Sequence, residues 1–380
     1  MISQPTLTSH VTSISTGAHV VSASFLGRTP AFALGDGEIV LAGVGEETRL
    51  NAHPNAGILV AVADQDRLIT GGDDGRVVET RPDGTMRELA HEKGKWIDAL
   101  AMRADGAVAY AFGKQVRAMD AKGEVKTLTF PSTVQGLAFL PKGYRLAATH
   151  YNGVSLWFPN AAAEPEILEW KGSHLDVTVS EDARFIVTSM QENALHGWRV
   201  ADKKNMRMTG YPAKSRSLSW SHDGEWLATS GAEACIVWPF QGKDGPMGKP
   251  PRECAVRPAR VTAVAFHPKS LVVAVGFQDG WLLLVRLGDN SELLVRHTEI
   301  ERESGAISAL TWSADGRRLR VKHAGRCVLR CEHETKAGFS PSRTTPTLPT
   351  AAPAQGIAEP IFALLTNGPQ RGGWMPSPTS

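Results

Sequence analysis

Six residues of the sequence have side chains suited to holding an anion or an acidic peptide. An arginine guanidinium forms paired, charge-assisted hydrogen bonds with a carboxylate or a phosphate. An indole in a short polar stretch is a natural anchor for a partner chain. These candidate partner-binding residues are His19, Trp96, Lys214, Arg216, Arg257 and Arg260.

The alternative interpretation is that Trp96 opens a buried strand and that the cations are simply solvated. The acidic stretch at 299–303 follows in a neighbouring loop and would neutralise part of the positive charge. The sequence therefore predicts one or more protein or peptide partners, possibly acidic, without deciding between these two interpretations.

The motifs that usually indicate catalysis are missing from the sequence. No Walker phosphate-binding loop, GxSxG elbow or HExxH motif occurs. The four cysteines, which fit neither a disulfide framework nor a zinc site, are Cys235, Cys254, Cys327 and Cys331. We therefore expect no enzyme activity, no cofactor and no metal, and reduced thiols in a cytoplasmic protein.

The charge balance argues against nucleic acid as a partner. The chain has 41 Lys and Arg against 39 Asp and Glu, which gives a formal net charge of +2. This is not the strongly basic footprint of a nucleic-acid-binding protein. No stretch approaches the roughly 18 apolar residues that span a bilayer, and the N-terminus has no signal-peptide pattern. We expect neither a nucleic acid nor a membrane as a partner.

An internal repeat organises most of the sequence. An apolar strand, a polar turn, a second apolar strand, a tight turn and a third strand recur eight times, most clearly in VTAVAFHPKSLVVAVGFQDGWLLLVRL from Val261 to Leu287. The residues that end the first strand of each copy are Phe25, Val62, Met102, Phe139, Val179, Trp220, Phe266 and Trp312. Successive anchors are 37 to 46 residues apart, a period typical of four-stranded propeller blades.

The local patterns also favour strands. The nearly continuous apolar runs at Val261–Phe266 and 271–276 are typical of strands buried on both faces. Asp74-Gly75 and Asn152-Gly153 suit tight hairpins that need a positive φ. No helical stripe appears in these windows. The sequence therefore predicts an all-β fold, a β-propeller of eight four-stranded blades.

Here the sequence resembles the WD-repeat family. Trp157, Trp198 and Trp238 stand where that family ends its third strand. The histidines that precede first strands are His53, His91 and His297, and the turn aspartates are Asp74 and Asp279. The resemblance covers roughly residues 1–332. It implies a scaffold or adaptor for proteins, with the family's buried Asp–His–Ser/Thr–Trp network formed only in part, because the Trp-Asp dipeptide is absent.

The ends of the chain predict how the ring closes. The eighth copy supplies three strands and stops near Cys331, while residues 6–15 have an alternating β pattern. We expect this N-terminal segment to supply the missing outer strand. The propeller is expected over residues 1–333. Residues 334–380 are rich in Pro, Ser and Thr and predict a disordered tail, in which the apolar 361–365 either docks or has no role.

The residues at the entrances of the first strands bear on the alternative functions. A propeller hydrolase or lactonase would need carboxylates or a metal at the central channel. The residues expected to ring one mouth are His19, Ala56, Trp96, Thr133, Ser173, Lys214, Arg260 and Ala306. This set has no carboxylate and favours a scaffold over such an enzyme; nucleic-acid association through basic loops is a weaker third hypothesis. Phe139, Trp220, Phe266 and Trp312 are expected to be largely buried.

Overall fold

The computed structural model describes residues 11–43, 47–296, 305–323, 327–331 and 375–376. All regular elements within these ranges are β-strands, and no helix among the described residues is long and apolar enough to cross a membrane. The arrangement is all-β and propeller-like, built mostly of four-stranded antiparallel sheets.

The first three sheets follow the chain in simple meanders. Sheet one comprises β2 (Val20–Leu26), β3 (Thr29–Leu34), β4 (Glu38–Ala42) and β5 (Glu47–Asn51). Sheet two comprises β6 (Ile58–Ala63), β7 (Leu68–Gly72), β8 (Arg76–Thr80) and β9 (Met86–His91). Sheet three comprises β10 (Ala99–Met102), β11 (Val108–Phe112), β12 (Gln115–Met119) and β13 (Val125–Thr129).

The middle of the chain forms one sheet of six strands. Its strands are β14 (Leu137–Phe139), β15 (Leu146–Trp157), β16 (Glu166–Val179), β17 (Phe185–Met190), β18 (Leu195–Arg199) and β19 (Asn205–Met208). The described strands therefore form seven sheets, and the prediction of eight separate four-stranded sheets is wrong. The reason is that the long β15 and β16 run on through the positions where the repeat pattern predicts a break.

The remaining sheets complete the order. One comprises β20 (Leu218–Trp220), β21 (Trp226–Thr229), β22 (Cys235–Pro239) and β23 (Arg252–Cys254). The next comprises β24 (Val261–Phe266), β25 (Val272–Phe277), β26 (Leu282–Arg286), β27 (Ser291–Arg296) and β31 (Met375–Pro376). The last comprises β28 (Ile307–Trp312), β29 (Leu319–His323), β30 (Cys327–Cys331) and β1 (Val11–Ser15).

The strand β1 pairs antiparallel with β30, from Val11 opposite Cys331 to Ser15 opposite Cys327. The sheet that contains both strands also packs against the first sheet of the chain. Arg320 donates to the carbonyl oxygen of Ala31 at 3.1 Å, and Lys322 donates to that of Val21 at 3.0 Å. The strand β1 thus shares a sheet with β28–β30, and this sheet contacts the sheet β2–β5.

The tail prediction concerns residues that lie outside the described ranges, apart from Met375 and Pro376. The island at 361–365 also lies outside them. The two described residues form β31 and pair with Glu292 and Ser291 of β27.

The first strands of neighbouring sheets are joined by side-chain hydrogen bonds. Ser219 Oγ accepts from the Phe266 N–H at 2.9 Å. The indole N–H of Trp220 donates to Thr178 Oγ1 at 2.9 Å, and that of Trp312 donates to the Ala265 carbonyl at 3.1 Å. These bonds connect β20 with β24, β16 with β20, and β24 with β28.

These contacts correct the predicted burial of the anchors. Phe266 is largely buried, with 6% of its surface exposed, but Phe139, Trp220 and Trp312 are only partly buried. For the two tryptophans, a hydrogen bond of the indole explains the partial exposure. Each indole lies where its N–H reaches the neighbouring strand, rather than deep in the apolar layer.

The buried polar network implied by the WD-repeat resemblance forms in part. Nδ1 of His53 lies 3.0 Å from Asp74 Oδ1, and its Nε2 lies 2.9 Å from Thr70 Oγ1. In the sheet β20–β23 a tyrosine takes the central place, because Tyr211 Oη bonds Thr229 at 2.6 Å and accepts from the indole of Trp238 at 2.6 Å. His91 is exposed, and His297 lies outside the described residues.

A second histidine cluster lies in the six-stranded sheet. His196 is fully buried, stacks on Trp170 with ring centroids 3.9 Å apart, and meets Trp198 edge-on at 4.7 Å. Neither of its ring nitrogens has a hydrogen-bond partner in the described part of the chain. The pKa of His196 is lowered to about 3, mainly by burial and to a smaller extent by the neighbouring His174 and Arg207.

The buried neutral His196 predicts acid sensitivity. Its folded pKa is lowered, so its contribution to stability is complete above about pH 6.5 and is lost as the pH falls toward 3. At pH 5 protonation in the unfolded state costs the fold about 2 kcal/mol. His196→Phe keeps an aromatic ring without titrating. We expect the variant to lose less melting temperature between pH 7.5 and pH 5.0 than the wild type.

The control is His222→Gln, a variant that replaces an exposed histidine. We expect this variant to lose as much melting temperature between pH 7.5 and pH 5.0 as the wild type does. Equal losses of melting temperature in the wild type and His196→Phe would contradict this assignment.

Candidate functional site

A cavity of about 510 Å³ opens where β20, β24 and β28 begin. Lys214, Arg216 and Arg260 all line it, as does Ala306, the residue directly before β28. These residues come from three consecutive copies of the repeat. They meet because equivalent strands of neighbouring sheets lie side by side. The structure thus brings together three of the six candidate partner-binding residues.

Among the residues that the structure describes, no carboxylate lines the cavity beside the three cations. Arg216 and Arg260 are exposed while Lys214 is half-buried. Within the described ranges none of the three forms an ion pair. By contrast, the Arg67 guanidinium, which lies outside this cavity, forms an ion pair with Asp64 at 3.3 Å. The cavity therefore presents positive charge that is available to a ligand.

Hydrogen bonds between side-chain hydroxyls and backbone groups hold the loops around the cavity in place. Ser230 Oγ accepts from the N–H groups of Arg216 and Ser217, at 3.2 and 3.0 Å. The Thr262 hydroxyl donates to the carbonyl oxygen of Ile307, at 2.5 Å, and so ties β24 to β28, while the Gly276 carbonyl oxygen lies 3.2 Å from the same hydroxyl. These bonds hold the strand entrances in one arrangement, so the cations project from a rigid base.

The walls of the cavity are mixed in character. Apolar side chains of Pro212, Val261 and Ile307 alternate with the hydroxyls of Ser230 and Ser308. A cavity with apolar walls and a few charged groups can hold an extended segment by its side chains while the cations bind its acidic group. Such a lining provides hydrogen-bond donors for an anionic group.

Arg257 does not belong to this cavity. Its guanidinium lies 3.2 Å from Asp279 Oδ2 and 3.6 Å above the ring of Trp281. The pair links the segment before β24 to the turn between β25 and β26, as His53 and Asp74 do in the second sheet. Arg257 is therefore engaged within its own sheet.

His19 and Trp96 also lie apart from the cavity lining. The His19 carbonyl accepts from Gly35 N–H at 2.7 Å, and partial burial together with the nearby Lys322 lowers the pKa of its imidazole. Trp96 is 65% exposed. The interpretation of Trp96 as a core residue is therefore wrong, and its indole is open to solvent.

A carboxylate that the sequence analysis missed lies on an innermost strand. Asp176 of β16 has solvent-exposed surface, yet it is closely surrounded by protein, and this confinement raises the pKa of its carboxyl. A single Asp in the apolar run HLDVTV was the available signal. No group of three or more His, Cys, Asp or Glu among the described residues is arranged to hold a metal ion.

A larger cavity, of about 610 Å³, lies between the second and third sheets. Its acids and arginines pair with each other, since the buried Glu79 lies 3.2 Å from Arg81 and 3.3 Å from Arg87. The arginines of this cavity are thus engaged by carboxylates, so it is a weaker candidate for an anion than the cationic cavity.

Comparison with known proteins places the fold and nothing further. No family model and no curated protein matches the sequence. Among solved structures, the computationally designed protein Ika8 is similar, with a TM-score of 0.67 and 16% sequence identity. The match covers 83% of this chain and 97% of that one. At this identity the similarity concerns the fold alone.

The pairing of Arg257 predicts a structural role for it. Arg257→Ala removes the ion pair with Asp279 and the contact with the ring of Trp281. We expect a loss of about 1–3 kcal/mol in the free energy of unfolding, measured by denaturant titration. Arg260→Ala is the matched control, because Arg260 is exposed and lines the open cavity. A smaller effect at Arg257 than at Arg260 would contradict the structural role.

Proposed function

We propose that the protein is a non-catalytic scaffold that binds an acidic or phosphorylated peptide segment at the cavity lined by Lys214, Arg216 and Arg260. The observation that supports this most strongly is the charge of that cavity. Three cations line a space of about 510 Å³, and none of the described residues that line it is a carboxylate. An anionic group entering this space would replace water around all three.

The two kinds of cation suit this ligand in different ways. The planar guanidinium groups of Arg216 and Arg260 can each bind a carboxylate or phosphate through two parallel hydrogen bonds, whereas Lys214 acts as a point charge. Because all three are at least partly open to solvent, their attraction is screened by salt. Binding at this site should therefore weaken as the ionic strength rises.

The proposal includes a finer account of the fold: WD-like blades in a ring that the N-terminal strand closes. The pairing of β1 with β30 supports this closure. In this account β1 closes the ring by completing the sheet of β28–β30.

We further propose a cytoplasmic location, on the basis of the cysteines. Cys235 and Cys254 lie opposite each other on β22 and β23, both buried and both free. Neighbouring thiols that stay unlinked fit a reducing compartment.

Closure by the N-terminal strand predicts that its loss is costly. Deleting residues 1–15 removes the partner of β30 and leaves an unpaired edge. We expect the melting temperature to fall by on the order of 5–10 °C, equivalent to a few kcal/mol. Deleting residues 1–9 keeps all of β1 and serves as the control. Equal melting temperatures for the two deletions would contradict closure by this strand.

The cationic cavity predicts a charge-reversal effect on binding. Lys214→Glu with Arg260→Glu should abolish recovery of the acidic partners that the tagged wild-type protein retains at physiological salt. Losing two charge-assisted contacts weakens affinity at least about tenfold. The control, Lys122→Glu with Lys126→Glu, changes the net charge equally on exposed residues outside the cavity.

Both variants must keep the wild-type melting temperature. If the cavity variant is folded and keeps full affinity, the ligand does not bind at this cavity. If both variants lose binding equally, net charge rather than the cavity is responsible.

A further inference from the structure

The outer strand of the sheet β24–β27 differs from the other outer strands. In β27 four of six residues are buried, namely Ser291, Glu292, Leu293 and Val295. The outer strands β5, β9 and β13 have mainly exposed residues. Their sequences are also more polar than the SELLVR of β27. This strand is therefore built into the core rather than laid over it.

Both faces of β27 are covered by neighbouring sheets. Leu293 and Val295 pack in one apolar cluster with Leu319 and Val321 of β29. Leu294 packs against the cluster on the opposite side, which includes Val237 of β22. With both faces covered, the part of β27 left for another chain is its outer hydrogen-bonding edge.

That edge is paired with the C-terminal part of the chain. Met375 lies opposite Glu292 and Pro376 opposite Ser291 in antiparallel register. Of the outer strands that the structure describes, β27 is the one that carries a fifth strand from a distant part of the chain. A largely apolar edge strand is the kind that proteins protect from pairing with other chains.

We propose that the outer edge of β27 is a strand-addition site for an extended peptide, and that the chain's own segment at Met375–Pro376 is its occupant. In strand addition the main-chain hydrogen bonds supply affinity, whatever the side chains are. This contact is separate from the cationic cavity and does not depend on the proposed function.

The tether makes a short contact sufficient. Forty-three residues separate Cys331 from Met375, so β31 is covalently attached to the sheet that contains β30. That sheet is adjacent to the sheet of β27, since β28 contacts β24. An attached segment has an effective concentration in the millimolar range. A strand from another protein can therefore displace the attached segment only if its own concentration and affinity outweigh this effective concentration.

Hydrogen exchange on the full chain tests the assignment. In the wild type the amides of 291–296 should be protected, and in a chain lacking residues 371–380 they should exchange at least about tenfold faster. Met375→Pro in the full-length chain, which removes one backbone donor from β31, should act in the same direction. The edge strand β13 is the internal control and should exchange equally in all three proteins.

A synthetic peptide of residues 367–380 provides the second arm. It should bind the shortened chain and restore protection of 291–296, and it should bind the wild type more weakly because the site is filled. Equal exchange of β27 in the three proteins, or no binding of the peptide to the shortened chain, would overturn the proposal. Protection that falls on dilution of the wild type would also overturn it, because the occupant would then be the tail of a second copy.

Discussion

The structure depends on one constraint: each sheet has both faces covered only by its neighbours. Phe266 of β24 illustrates this, since it packs with Val237 of the preceding sheet and with Val273 of its own. On the other face of the same sheet, Ala263 and Leu284 pack with Leu319 of the following one. A sheet removed from this arrangement would expose two apolar faces. The stability of each sheet therefore depends on its interfaces with its neighbours.

The same constraint creates the candidate site. Sheets that pack face to face bring their first strands together, and with them the loops that lead into those strands. Lys214 and Arg260 are 46 residues apart in the sequence, yet both line one cavity. A rigid framework that gathers loop residues in this way allows binding chemistry to vary without altering the core. Different polar pairs make the same connection in different sheets. His53 with Asp74 and Arg257 with Asp279 each join the segment before a first strand to the tight turn between the second and third strands.

The repeat pattern predicted much of this from the sequence because local rules govern it. Asp74-Gly75 does form a turn, with a positive φ at Gly75. The turn predicted at Asn152-Gly153 is wrong, because both residues lie within the continuous strand β15, at a register shift where both have a positive φ. The meeting of Lys214 with Arg260 follows from their equivalent positions before first strands. The pairing of Arg257 was not predictable in this way, because it depends on a turn 22 residues later. The continuity of β15 and β16 and the contact of β31 with β27 depend on pairing between segments, which periodicity does not encode. The partial exposure of Trp220 depends on an acceptor in another sheet, Thr178.

The central claim of the functional account is that the cavity at the start of β20, β24 and β28 binds an anionic group. The most direct measurement is a crystal structure of the protein with an acidic or phosphorylated peptide recovered from its own purification. The account predicts the acidic group within hydrogen-bonding distance of Lys214 and of the Arg260 guanidinium. A peptide bound elsewhere on the protein, with this cavity empty of it, would contradict the account.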